Sequence, residues 1–214
     1  MVKNNLAHKL IEVDKEVDYT FLADPVKHSS IPLKDIFSNK LRLEASAYSI
    51  EARISRNKLL NSKYPCEKIY PNKDFAVKAY HAPRFKRKYL AKTTPNTIGF
   101  LGGAEMLNIH PKPVKFLPDT QAKEKGLYVK KGTVLITCSG TIGKTTFVNK
   151  TLEKLTFSQH IIRLECEKNS GYLYTFLKTK EAQDQIKSLI YGSVIPEIEP
   201  HHLEAVIIPN APDP

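Results

Sequence analysis

Seven prolines fall between positions 65 and 118: Pro65, Pro71, Pro83, Pro95, Pro111, Pro113 and Pro118. A proline lacks the N–H that a helix interior or a central strand needs, so neither a long helix nor a long central strand fits here. The middle of the chain must therefore be loops and short strands. Downstream the signals become regular. Residues 127–129 read as a strand, and Thr133-Val-Leu-Ile-Thr137 is an apolar, β-branched run of the same kind. Ser139-Gly-Thr-Ile-Gly143 is a turn, residues 145–148 a returning strand, and residues 157–165 alternate as one further strand. Residues 172–178 and 181–190 carry helical spacing, are divided at Thr179-Lys180, and stop at Gly192. Residues 203–208 close with a turn and an apolar strand, while 44–60 upstream reads as one helix. This order repeats no βαβ unit. It predicts an α+β fold of short mixed and antiparallel strands with a few short helices.

With 214 residues, 41 % of them hydrophobic and 26 % charged, the chain suits one generous globular domain or a domain with an arm. No run approaches the roughly 18 apolar residues of a membrane span. The N-terminus lacks a continuous signal-peptide core. No membrane association and a cytoplasmic location are expected. Residues 1–40, broken at Pro25, read as a partly flexible N-terminal lead-in segment, and 41–214 as the functional domain. Cys66, Cys138 and Cys166 are odd in number and widely spaced, with neither disulfide nor zinc spacing, so buried thiols are expected.

The charge is uneven. The chain carries 33 Lys+Arg against 22 Asp+Glu, a net of +11. Residues 1–92 hold 19 basic and 10 acidic side chains (+9), whereas 93–214 hold 14 and 12 (+2). The densest stretch, 78–92, has six Lys/Arg and no acid, with Tyr80, Phe85 and Tyr89 interleaved. Two readings fit it: a surface that displaces counterions from a phosphate backbone, or a solvated basic loop. On the first, Arg84, Lys86, Arg87, Lys88 and Lys92 are the DNA-contact candidates, with Tyr89 or Phe85 packing on sugar or supporting the loop. Core packing suits both rings better than base stacking, since duplex readers have little use for stacking platforms.

Catalytic patterns are missing from the sequence. Gly140-Thr-Ile-Gly-Lys-Thr-Thr146 imitates a P-loop, but the first glycine of that motif would fall on Cys138, and a β-forming run follows where a helix is needed. Gly140 and Gly143 fit the positive-φ positions of a strand–turn–strand connection instead. Lys144 then either touches phosphate from the turn or is solvated, and the solvated reading is favoured. Pro118-Asp119 supplies half of a metal-nuclease motif, yet no Asp or Glu is followed two residues later by Lys. The Pro-Pro loop with which base-modifying methyltransferases grip a flipped base is lacking too. His81, His110, His160, His201 and His202 are scattered. No catalytic residue, metal or cofactor is expected.

Five motifs nevertheless follow one order: Lys131-Gly-Thr-Val-Leu-Ile-Thr-Cys-Ser-Gly-Thr-Ile-Gly-Lys144, Phe157-Ser-Gln-His-Ile-Ile-Arg163, Gly171-Tyr-Leu-Tyr-Thr-Phe-Leu177, Tyr191-Gly-Ser-Val-Ile195 and His202-Leu-Glu-Ala-Val-Ile-Ile-Pro209. Together they resemble the target-recognition domain of the DNA specificity (S) subunit of type I restriction–modification systems, and its single-domain relatives in some type II systems. Arg42-Leu-Glu-Ala-Ser-Ala-Tyr48 resembles the start of the same domain, so the likeness spans about residues 40–209. It implies a non-enzymatic reader of double-stranded DNA that occupies 41–214. A modification methyltransferase, and in some systems a restriction subunit, would be its partners. Full S subunits carry two such domains on long spacer helices; one domain here implies a fragment, or a half-subunit that self-associates or meets a second recognition domain. The shared turn at 140–144 then belongs to the scaffold. Leu173, Phe176, Leu177, Ile186, Leu189 and Ile190 are expected as core, with part of that set open to the methyltransferase. The competing classes are a DNA-processing enzyme, such as a nuclease, with dispersed catalytic groups, and an RNA-binding or structural adaptor.

Overall fold

The computed structural model describes residues 30–38, 41–192 and 194–211, so most of the 1–40 lead-in segment, with Pro25, lies outside the described residues. Helix α1 (Leu33–Ser38) precedes a 3-10 turn, Ala45–Tyr48, and helix α2 (Ile50–Leu60). The single helix expected over 44–60 is therefore two elements. Ser49 separates them, because its Oγ accepts the Ala52 N–H at 3.3 Å and caps α2.

Strands β1 (Cys66–Lys68), β2 (Ala76–Tyr80), β3 (Thr97–Leu101) and β4 (Lys115–Pro118) occupy the proline-rich middle, each short, as the prolines require. Helix α3 (Asp119–Glu124) follows, then β5 (Val134–Thr137), β6 (Thr145–Phe147), β7 (Thr156–Phe157) and β8 (Ile161–Cys166). Helices α4 (Ser170–Leu177) and α5 (Lys180–Ser188) come next, and a 3-10 turn, Pro200–Ala205, leads into β9 (Ile207–Pro209). The α+β expectation holds.

Three sheets result among the described residues. The largest is antiparallel in the order β2-β8-β5-β6; the second runs β4-β3-β7 with β3 and β7 parallel; β1 pairs with β9. All four residues of β5 are buried, because layers cover both of its faces. Val134 and Ile136 pack with Ile162, Leu164, Leu173, Leu177 and Ile186 under α4 and α5, whereas Leu135 packs with Ile161, Phe157 and Leu101 against the second sheet. That alternation is the period-two geometry of a strand. The apolar set expected from 172–190 is mostly core, with Leu189 and Ile190 half-buried at its margin.

Two strand expectations are corrected. Residues 127–129 form a single bridge, Tyr128 to Thr156, after the left-handed Gly126. Residues 157–165 form two strands, because a turn at Gln159-His160 carries the chain from the second sheet to the first. Only Cys138 of the three free thiols is fully buried; Cys66 and Cys166 are half-buried. Among the described residues no helix is long and apolar enough to cross a membrane.

Candidate nucleic-acid interface

The basic segment leaves β2 at Tyr80 and runs without regular structure to Leu90, whose N–H donates to Phe116 O at 3.0 Å. It is thereby fastened along the outer edge of β4, an edge strand that would otherwise offer unpaired backbone groups. Exposure alternates along it: Arg84, Lys86 and Lys88 are exposed, while Phe85 and Arg87 are half-buried. Phe85 packs against the cluster of Ala82, Phe100, Leu117, Ala122 and Leu127. Tyr89, 49 % exposed, sets its ring edge-on to Phe100, with centroids 6.4 Å apart and planes at 63°. Lys92 is exposed in a turn before β3, closed by the Thr94 N–H to Ala91 O bond at 3.0 Å. Among the described residues, Arg84, Lys86, Lys88 and Lys92 have no carboxylate partner within ion-pair distance.

Arg87 differs from its neighbours. Its Nη2 donates to Gln159 Oε1, and its guanidinium lies 5.4 Å from the Phe100 ring centroid and 5.8 Å from that of Phe85. Such cation–ring placement stabilises a partly desolvated Arg. Gln121 of α3 grips the segment backbone on either side. Lys88 N–H donates to its Oε1 at 3.1 Å, and its Nε2 donates to Lys86 O at 3.2 Å. Lys115, on β4, extends the cationic strip, with Nζ 5.8 Å from the Tyr89 ring centroid. Sequence reasoning missed Gln121, Gln159 and Lys115, since only the packing of α3, the turn before β8 and β4 brings them to the segment.

Arg84 also lines a small cavity of about 50 Å³ with His81, Gln159, His160, Glu197 and Glu199. There His81 Nε2 meets Glu199 Oε2 at 3.1 Å, and Ser139 Oγ meets His160 Nδ1 at 2.9 Å. Cys138 borders the same cavity. Burial first, then the Glu197 and Glu199 carboxylates, push its thiol up to about 12, so it is protonated and no nucleophile at neutral pH.

The other sequence candidates are scaffold parts. Gly140 and Gly143 have φ of 70° and 84° and form the strand–turn–strand connection before β6. Thr137 Oγ1 accepts the Lys144 N–H at 3.0 Å, Gln183 Nε2 of α5 donates to Gly143 O at 2.8 Å, and Lys144 is exposed. With a strand after the turn, no helix N-terminus faces a phosphate. Asp119 is held by Lys123 at 2.7 Å and by the Tyr128 hydroxyl, and these bonds lower its carboxyl below the usual range. Burial, then Asp119, pushes the Tyr128 hydroxyl up to about 12. No cluster of three or more metal-ligating side chains occurs among the described residues.

Fold and site define a class: a small three-sheet α+β domain that presents, along one sheet edge, a basic strip whose exposed cations form no ion pair among the described residues. The chain belongs to the type I restriction modification DNA specificity domain family, whose model matches residues 68–213. Among solved structures it is similar to the S subunit of a type I restriction–modification system from M. genitalium, with 14 % identity and a TM-score of 0.44, over 70 % of this chain and 35 % of that one. It is also similar to the HsdS subunit from Thermoanaerobacter tengcongensis, with 13 % identity and a TM-score of 0.39, over 80 % of this chain and 44 % of that one. The match therefore spans less than half the length of either subunit. No curated protein matches the sequence.

Proposed function

We propose that this chain recognises one half-site of a double-stranded DNA sequence as the specificity component of a restriction–modification system. It directs a modification methyltransferase, and a restriction subunit where the system has one, to that site in the cytoplasm, without catalysis of its own. The recognition domain occupies 41–214, with 1–40 leading into it, and a second recognition domain or a second copy of the chain supplies the other half-site. The observation that carries this reading is the row of exposed cations at Arg84, Lys86, Lys88 and Lys92, without an ion-pair partner among the described residues, in a chain of the DNA specificity domain family. Phosphate contacts of this kind provide affinity and register, while base contacts provide sequence. Tyr89 and Arg87 belong to the same strip, Tyr89 at its surface and Arg87 beneath it.

Selection of duplexes from a random pool by the purified chain, followed by sequencing, tests the reading. A recurring short motif supports it. Preference for structured RNA over duplex, or reproducible cutting of plasmid in Mg²⁺, overturns it in favour of an adaptor or an enzyme.

A further inference from the structure

We propose that Arg87 is a positioning residue and not a DNA contact. With Gln121 it locks the segment so that Arg84, Lys86 and Lys88 face outward as one row. The assignment rests on the duplex-binding reading above and deepens it.

Three observations carry it. The alternation of exposure over 84–88 is that of extended chain, in which residues two apart share a face and lie about 6.6 Å from each other. Gln121 bonds the backbone of Lys86 and Lys88, the two residues flanking Arg87, and so fixes their direction without occupying either ammonium group. Arg87 points the other way. Its Nε is buried with no hydrogen-bond partner among the described residues, its guanidinium carbon lies 5.8 Å and 5.4 Å from the Phe85 and Phe100 ring centroids, and its Nη2 donates to Gln159. A guanidinium turned into the protein in this way is committed to the fold.

The bond to Gln159 also sets a chain of roles. Because Oε1 accepts from Arg87, the Gln159 Nε2 donates to His160 Nε2 at 3.0 Å. His160 then carries its hydrogen on Nδ1 and donates to Ser139 Oγ at 2.9 Å. Arg87 is thus tied through two side chains to the turn that follows β5. The basic segment is anchored on one flank by α3 and on the other by the Ser139 turn. An anchored row loses less freedom when it meets a phosphate backbone than a loose one would.

The test compares charge-preserving with charge-removing variants of the full chain. Affinity for a mixed-sequence duplex is measured by fluorescence anisotropy across a salt series, with thermal unfolding as a check that each variant is folded. Lys86→Ala or Lys88→Ala is expected to lower the salt slope by about 0.9 each. Arg87→Lys and Gln121→Ala are expected to weaken binding about 3- to 10-fold at fixed salt while leaving the slope unchanged. Gln159→Ala, which leaves every cation in place, is expected to behave like Arg87→Lys. If Arg87→Lys binds as the unsubstituted chain does, or Arg87→Ala lowers the slope by about one, Arg87 touches phosphate and the assignment is overturned alone. Absence of duplex binding by the unsubstituted chain overturns the DNA reading, and this assignment with it.

Discussion

Two loops of this chain carry glycine or basic signals, and they are built in opposite ways. The turn at 139–144 is closed by its own neighbours: Thr137 bonds across it, and Gly143 N–H donates to Thr137 O at 2.9 Å. The basic segment at 84–90 bonds almost nothing nearby. Its partners are Gln121, Phe116 and Gln159, supplied by α3, β4 and the turn before β8. The first loop is a scaffold part that imitates a nucleotide site, whereas the second, the proposed working surface, resembles an unstructured connection. A short motif therefore describes geometry well where the geometry is local, and poorly where other elements impose it.

The contrast can be broken from either side. The largest effect is expected at Gly143, whose φ of 84° disfavours any side chain and whose added Cβ would lie 3.1 Å from Ile186 Cγ2. Gly143→Val should destabilise the fold by about 2–4 kcal/mol in chemical denaturation. The fraction still folded should bind duplex as before. Normal stability would show that the turn is not the fixed part described here.

The helix layer behind that turn gives the next effect. Asp184 of α5 accepts the Ser55 hydroxyl at 2.7 Å and pairs with Lys180. Asp184→Ala strands the buried Ser55 hydroxyl and should cost about 1–3 kcal/mol. Burial pushes the Asp184 carboxyl up, but the bonds from Lys180 and Ser55 outweigh it and hold the group below its ordinary value. A depressed carboxyl contributes its stability fully above the unfolded value of about 3.9, and that contribution is lost as pH falls through the folded value. The thermal unfolding profile below about pH 4 should therefore be shallower in Asp184→Asn than in the parent. An unchanged acid limb would contradict the pairing.

The smallest effect is expected at Lys144, the cation of the P-loop lookalike. Lys144→Ala should change stability by no more than about 0.5 kcal/mol and leave the salt dependence of duplex binding unaltered. Nucleotide binding abolished by this substitution, read by calorimetry with ATP or GTP, would restore the function that the turn geometry rejects.

What the residues revealed in advance follows the same division. The β-branched run of β5, the glycine turn, the return strand and the helix pair split at Thr179 are set by neighbours in sequence, and all were readable. Thr179 caps α5 by accepting the Ala182 N–H at 3.3 Å, a purely local event. The break inside 157–165 was hidden, because one alternating pattern serves two sheets in succession. Ser49 likewise interrupts a helical spacing that continues on both sides. In the candidate interface the cations were visible as composition, but their directions were not. Lys86 and Arg87 look equivalent as letters, and only contacts with α3, β3 and Gln159 turn one outward and the other in.

The measurement closest to the central claim is the salt dependence of duplex affinity for a chain carrying Arg84→Ala, Lys86→Ala and Lys88→Ala together. At about 0.9 per phosphate contact, the slope of log affinity against log salt should fall by about 2.7, with thermal stability unchanged. A triple variant that keeps the parent's slope would show that nucleic acid meets this protein elsewhere.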